Sequence, residues 1–124
     1  MSSSTTYRTS MFDGPAAMDW LAPGWRALRL YGKRARQAIE AGDGPTKIDM
    51  IMRAQTLLGT MSGIAQSGEE ATLGAALQTI YTALMFCLLR ANAQNNAAAL
   101  EDYDRALAQL DRDMRSNLPT QDAA

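Results

Sequence analysis

The stretch Ala71–Leu89, ATLGAALQTIYTALMFCLL, carries no charged residue, and this limits the folds open to the chain. A surface helix of a small domain turns a polar face to water every 3.6 residues. Here the second half, Ile80 to Leu89, is apolar on all sides except at Thr82. Such a helix is sheltered by its own chain on nearly every side, or it keeps one side for a partner. Its length just reaches the roughly 20 residues that a membrane span requires. Thr72, Gly74, Gln78, Thr79 and Thr82 weaken that reading, and only Arg90 follows, without a basic cluster or an aromatic belt. The run therefore predicts a buried helix and no membrane insertion.

Around this run the apolar residues recur at helical spacing. Leu21, Trp25, Leu28, Gly32, Ala35 and Ile39 alternate steps of four and three, one face of a first helix. Pro15 suits its start, with Asp13 nearby as a cap. Pro23-Gly24 predicts a kink or a restart, and Gly42-Asp43-Gly44-Pro45 a firm stop. A second helix should begin near Thr46 and end at Ser67-Gly68. It carries two adjacent apolar rows, Met50, Ala54, Leu57, Met61, Ile64 and Ile51, Leu58, Ala65. Glu69 and Glu70 suit the positive end of the third helix's dipole. Ala91 to Asn96 reads as a turn, with Asn92, Asn95 and Asn96 capping it. The fourth helix shows a clean stripe of Leu100, Tyr103, Leu107, Leu110 and Met114, and Pro119 lies beyond its end.

Four helices with short connections predict an all-α fold, an antiparallel up-down four-helix bundle over residues 13–117. Residues 1–12, rich in Ser and Thr, read as a mobile N-terminal arm, and 118–124 as a frayed tail. The absence of Val agrees with helix over sheet. One domain fits the 124 residues.

Several function classes fall away. Without histidine there is no Ser-His or Cys-His pair, and the glycines form no phosphate loop, so the chain is read as no enzyme. A single cysteine, Cys87, permits neither a disulfide within the chain nor a zinc site, and is expected to be a small buried hydrophobe. No cofactor and no metal are expected. The net charge of −1 gives no general pull toward nucleic acid. The start lacks a signal-peptide core, which predicts a cytoplasmic protein.

Three patterns remain. Arg26, Arg29, Lys33, Arg34 and Arg36 crowd the first helix, which predicts a solvated face pairing with the acid-rich fourth helix or a dock for an acidic partner. Asp102, Asp104, Asp111 and Asp113 stand among arginines, which predicts salt-bridged surface rather than a metal or catalytic pair. Met50, Met52, Met61 and Met85 fit either gap-filling in the core or an adaptable peptide-binding surface. The second and third helices carry more apolar surface than so small a bundle readily buries, and surplus of that kind points to a partner.

Three segments resemble a known family, the flagellar secretion chaperone FliS. Arg53-Ala54-Gln55-Thr56-Leu57-Leu58-Gly59-Thr60-Met61 is similar to the family's (K/R)AQ-x-(I/L)(I/L)-x-x-L segment. Gln37-Ala38-Ile39-Glu40-Ala41-Gly42-Asp43 resembles its AIE-x-GD ending of the first helix. Tyr81, nine intervening residues, Ala91-Asn92, a polar turn and Leu100-Glu101 resemble its third helix and the start of its last. The chain departs from the pattern with Trp25 in a Tyr position, Thr82 after the third-helix Tyr, Met114 in place of Trp and Tyr103 in place of Val. It thus resembles a divergent member.

The resemblance implies a bundle that binds the disordered C-terminal segment of flagellin in apolar grooves, prevents premature polymerisation and hands the client to the flagellar export gate. It also implies a groove cover on the N-terminal arm, for which Tyr7 is the match. Helix-in-groove recognition would use Ala54, Leu57, Met61 and Ile64 of the second helix with Leu77, Ile80, Leu84 and Leu88 of the third. On an all-apolar helix, periodicity leaves open which of these face core and which groove. The alternative is a homodimeric bundle, an adaptor for another flagellar component, whose surplus apolar surface is the dimer interface.

Overall fold

In the computed structural model, which describes residues 15–67 and 72–117, the chain is four helices: α1 Pro15–Ala41, α2 Gly44–Ser67, α3 Thr72–Gln94 and α4 Ala97–Asn117. The all-α bundle is as the periodicity predicts. Each helix packs on the next, and α4 closes the ring against α1. In this square the α1–α4 edge lies opposite the α2–α3 edge. The expected arm with Tyr7, Glu69 and Glu70 and the C-terminal tail lie outside the described residues.

Two connections of two residues explain the antiparallel order. α1 ends in a Schellman turn: Gly42, at φ 72°, donates its N–H to the Ile39 carbonyl, and Asp43 to that of Ala38. Asp43 then caps α2, its carboxylate accepting the Thr46 N–H at 3.1 Å. Gly44 and Pro45 are therefore not part of the stop. They form the first turn of α2, where proline's missing N–H costs no hydrogen bond. The α3–α4 connection repeats the device. Asn95 takes the left-handed position at φ 50°, Asn96 donates to Ala91, and the Asn96 side chain accepts the Ala99 N–H. The turn is thus shorter than the expected Ala91–Asn96, because α3 continues to Gln94. Asn92 sits exposed on its last turn.

Lys47 ties the two connections together. Although charged, it is buried, and its Nζ donates to the Asn92 carbonyl at 3.2 Å and to Asn95 Oδ1 at 2.7 Å. A cation at the C-terminal end of α3 meets both the free carbonyls and the negative end of the dipole.

α1 runs unbroken through Pro23 where a restart is predicted. Leu21, Ala22, Trp25 and Leu28, all buried, hold both sides of the proline against the core. At Gly24 a Cβ would come 2.6 Å from Met61 Cε, so the glycine admits α2's side chain.

The core is continuous. The four stripes that fill it include Leu77, Tyr81, Leu84, Leu88 and Ala91 from α3 and Leu100, Tyr103, Leu107 and Leu110 from α4. Trp25 Nε1 donates to Tyr81 Oη at 3.1 Å, crossing the bundle diagonally from α1 to α3. Tyr103 lies over Gly32 and donates its hydroxyl to the Leu28 carbonyl at 2.8 Å. Burial holds the Tyr81 phenol up at about 12, and pushes Tyr103 up further in the same direction. The segment Gly74–Gln94 is long and apolar enough, by length and composition, to cross a membrane. In the bundle its apolar stripe is packed between α2 and α4.

Candidate partner-binding surface

The eight residues expected to bind a partner divide in two. Ala54, Met61, Leu77, Leu84 and Leu88 lie in the interior, none more than 3 % exposed. Leu57, Ile64 and Ile80 are half-buried and pack on the core from its rim. The residues at 77, 81, 84 and 88 form the core stripe of α3, which leaves positions 82, 85, 86 and 89 turned outward.

These outward positions form one wall of a trough of about 350 Å³ between α2 and α3. Thr82, Met85, Phe86 and Leu89 supply that wall, Gly59, Ser62 and Gly63 the other, and Leu58 and Tyr81 the floor. Phe86 is 63 % exposed and Leu89 48 %, two of the five large apolar side chains left exposed among the described residues. The opposite wall is low. A Cβ on Gly59 or Gly63 would meet nothing within 4 Å. A second helix can therefore approach the α2 backbone closely while its apolar side chains meet Phe86 and Leu89. Fully burying a side chain of this size contributes about 1.5–3 kcal/mol, so closing over the exposed halves of two is worth roughly half of that for each.

The floor is stiff. Tyr81 is 2 % exposed and its hydroxyl is taken by Trp25, so the ring cannot swing into the trough without stranding the indole N–H. At one end Ser62 donates to the Gln78 side-chain carbonyl and links the two walls. A second apolar hollow lies between α1 and α2, where Tyr31, Met52 and Leu57 meet beside Asp49 and Arg53. Met52 is 59 % exposed there, whereas Met50 and Met61 are core and Met85 is on the trough wall. The methionines thus divide between core and surface.

Cys87 is half-buried rather than buried, with an Arg90 nitrogen 3.9 Å from its sulfur, because it flanks the core stripe and packs against the core from its edge. The acidic residues of α4 are occupied by neighbours: Asp102 pairs with Arg105, Asp111 with Arg115 and Asp104 with Arg29, while Asp113 accepts from Gln109. Arg29 and Asp104 make a two-pronged contact at 2.8 and 3.1 Å, and Arg36 reaches Glu101 at 3.8 Å. The expected pairing of the basic face with α4 is met by these two arginines.

Phe86, Leu89 and Lys47 were not legible as special. In Ile80–Leu89 the one polar mark of phase is Thr82, one turn from Phe86 on the outward face, too slight a signal to tell Phe86 from Leu84 by pattern. Lys47 carried a faint signal, a cation in the first turn of its own helix, where the dipole disfavours it.

A family model described as "Flagellar protein FliS" matches residues 27–115, from α1 through α4. No curated protein and no solved structure matches the chain.

Proposed function

This chain belongs to the FliS family of flagellar proteins, a family of export chaperones, and from that premise we propose that it holds the disordered C-terminal segment of flagellin in the cytoplasm until export. The single observation that carries the reading is the α2–α3 trough, with Phe86 and Leu89 exposed on one wall and two glycines on the other. The client segment, amphipathic once helical, lays its apolar face there. Ordering it costs free energy, which the apolar contacts must exceed. While it is covered, its own assembly surface is withheld from other flagellin molecules.

Within this reading the interior residues Ala54, Met61, Leu77, Leu84 and Leu88 set the shape of the floor, and Leu57, Ile64 and Ile80 extend the apolar rim. Tyr7 covers the trough when it is empty, and the loaded complex goes to the export gate.

Titration of the full chain with a flagellin C-terminal peptide tests the proposal. Saturable micromolar binding that weakens at least tenfold in Phe86→Asp supports it. Absence of saturable binding removes flagellin as the client. Light scattering on a dilution series separates the alternative: a dimer that persists in excess peptide assigns the trough to a second copy of the chain.

A further inference from the structure

On the edge of the bundle opposite the α2–α3 trough, α1 and α4 enclose a further depression, of about 530 Å³. Its chemistry is different. Arg26, Arg29, Lys33 and Arg36 line it from α1 and Asp104 from α4, with Leu30 as exposed apolar surface and the buried Leu100 beneath.

The cations form two rows. At about 100° per residue, positions seven apart nearly superpose, so Arg29 and Arg36 make an inner row and Arg26 and Lys33 an outer one. The inner row faces α4 and is answered there by Asp104 and Glu101. The outer row is not. Arg26 and Lys33 are exposed and enter no ion pair among the described residues. Arg36 adds an unmet donor, since its Nε is buried with no hydrogen-bond partner among the described residues. Like charges three and four apart on one helix repel one another. Arg26 beside Arg29, Arg29 beside Lys33 and Lys33 beside Arg36 repeat that cost along α1. An anion on the outer row would relieve it.

We propose that this α1–α4 trough docks an acidic, amphipathic protein segment: carboxylates about two helical turns apart on Arg26 and Lys33, and an apolar side chain on Leu30. Charge complementarity fixes the sign. The outer cations lie seven residues apart, about 10.5 Å along the axis at 1.5 Å per residue, which matches carboxylates seven residues apart on a partner helix. Leu30, 45 % exposed, selects a peptide over a phosphate-bearing partner, because it offers an apolar contact beside the charges. Nucleic acid is disfavoured because no aromatic ring lines this trough for base stacking. The site is independent of the proposed client trough. It lies on the opposite edge, so the chain can hold an acidic partner and an apolar client at once.

The test uses the full chain and a labelled synthetic helical peptide with glutamates seven residues apart flanking a leucine. A control peptide carries lysine in place of glutamate. Anisotropy is read at low and high salt. The proposal expects the acidic peptide to bind, salt to weaken it, and the combined Arg26→Glu and Lys33→Glu substitutions to reduce affinity at least tenfold. Arg112→Glu, on α4 and outside the trough, and Phe86→Asp leave it unchanged. Both outer cations are exposed, and Arg26→Ala with Lys33→Ala is the milder pair should the charge reversal disturb folding. Three results overturn the proposal: equal affinity for the substituted and original chains, equal affinity for the lysine peptide, or tighter binding to single-stranded oligothymidine or to phosphatidylglycerol vesicles than to the acidic peptide.

Discussion

Replacing Gly32 by alanine tests whether the α1–α4 contact is as close as described. In a helix interior the change ordinarily stabilises by about 1 kcal/mol, because alanine loses less backbone freedom on folding. At Gly32 the new Cβ would lie 2.6 Å from Tyr103 Cε1 and 2.8 Å from Cδ1, about 1 Å inside normal carbon contact. The ring has nowhere to go: Tyr103 is fully buried and its hydroxyl is held by the Leu28 carbonyl at 2.8 Å. Either α1 and α4 separate, an overpacking cost of about 1–3 kcal/mol, or the ring turns and loses a buried hydrogen bond, a cost of about 1–3 kcal/mol. With both partly engaged, roughly 2–4 kcal/mol is lost against the gain of about 1, a net destabilisation of about 1–3 kcal/mol. Gly59→Ala is the internal control. Nothing lies within 4 Å of its Cβ, so it should stabilise by roughly 0.5–1 kcal/mol. Urea unfolding followed by circular dichroism reads both. With an m-value of about 1–3 kcal/mol/M, Gly32→Ala lowers the midpoint by about 1 M and Gly59→Ala raises it. In a Tyr103→Leu background the penalty at position 32 should largely vanish. A Gly32→Ala midpoint at or above that of the unsubstituted chain refutes the close packing.

Four further outcomes follow from the same contacts. Lys47→Met should lower stability by about 1–3 kcal/mol, because the Asn92 carbonyl and Asn95 Oδ1 lose their donor, and a thermal scan reads it directly. Hydrogen bonds from the Thr46 side chain and backbone hold the Asp43 carboxyl below its ordinary range, so its contribution is present above the unfolded-state value and is lost as pH falls through the folded one. Asp43→Ala should therefore destabilise at neutral pH and converge on the unsubstituted chain in acid. For Tyr81 the sign is opposite: with the folded phenol at about 12 against the usual 10, its contribution is full below pH 10 and about 2–3 kcal/mol is lost by pH 12, visible as alkaline unfolding that Tyr81→Phe delays. A double-mutant cycle on Arg29 and Asp104, both 43 % exposed, should give no more than about 1 kcal/mol, shrinking in high salt.

The amphipathic helices were the most legible. In α4 the stripe Leu100, Tyr103, Leu107, Leu110 and Met114 is buried throughout, because charges fill every other side and leave one phase. In α1 the face from Leu21 to Ala35 is likewise buried. The two connections were less so. Gly42 and Asn95 are both left-handed positions, but Pro45 and Asn92 read as turn residues while the helices absorb them. Caps and helix ends depend on which backbone groups remain free, and that is settled only when neighbouring helices are in place. The candidate site was legible as a quantity of apolar surface on α2 and α3, not as particular side chains.

The charge-free run thus had two parts to its meaning. Its lack of charge predicted a helix sheltered on nearly every side, but α3 buries one stripe and leaves Thr82, Phe86 and Leu89 exposed. Helical spacing in its neighbours committed the chain to four helices, since amphipathic stripes must be buried together. Which side of α3 faces inward was decided by tertiary structure alone. Packing against α2 and α4, with Tyr81 fixed by Trp25 across the core, turns Leu77, Leu84 and Leu88 inward and leaves Phe86 and Leu89 on the surface. A uniformly apolar helix has the same transfer free energy in nearly every rotation about its axis. Only close packing and one buried hydrogen bond distinguish those rotations.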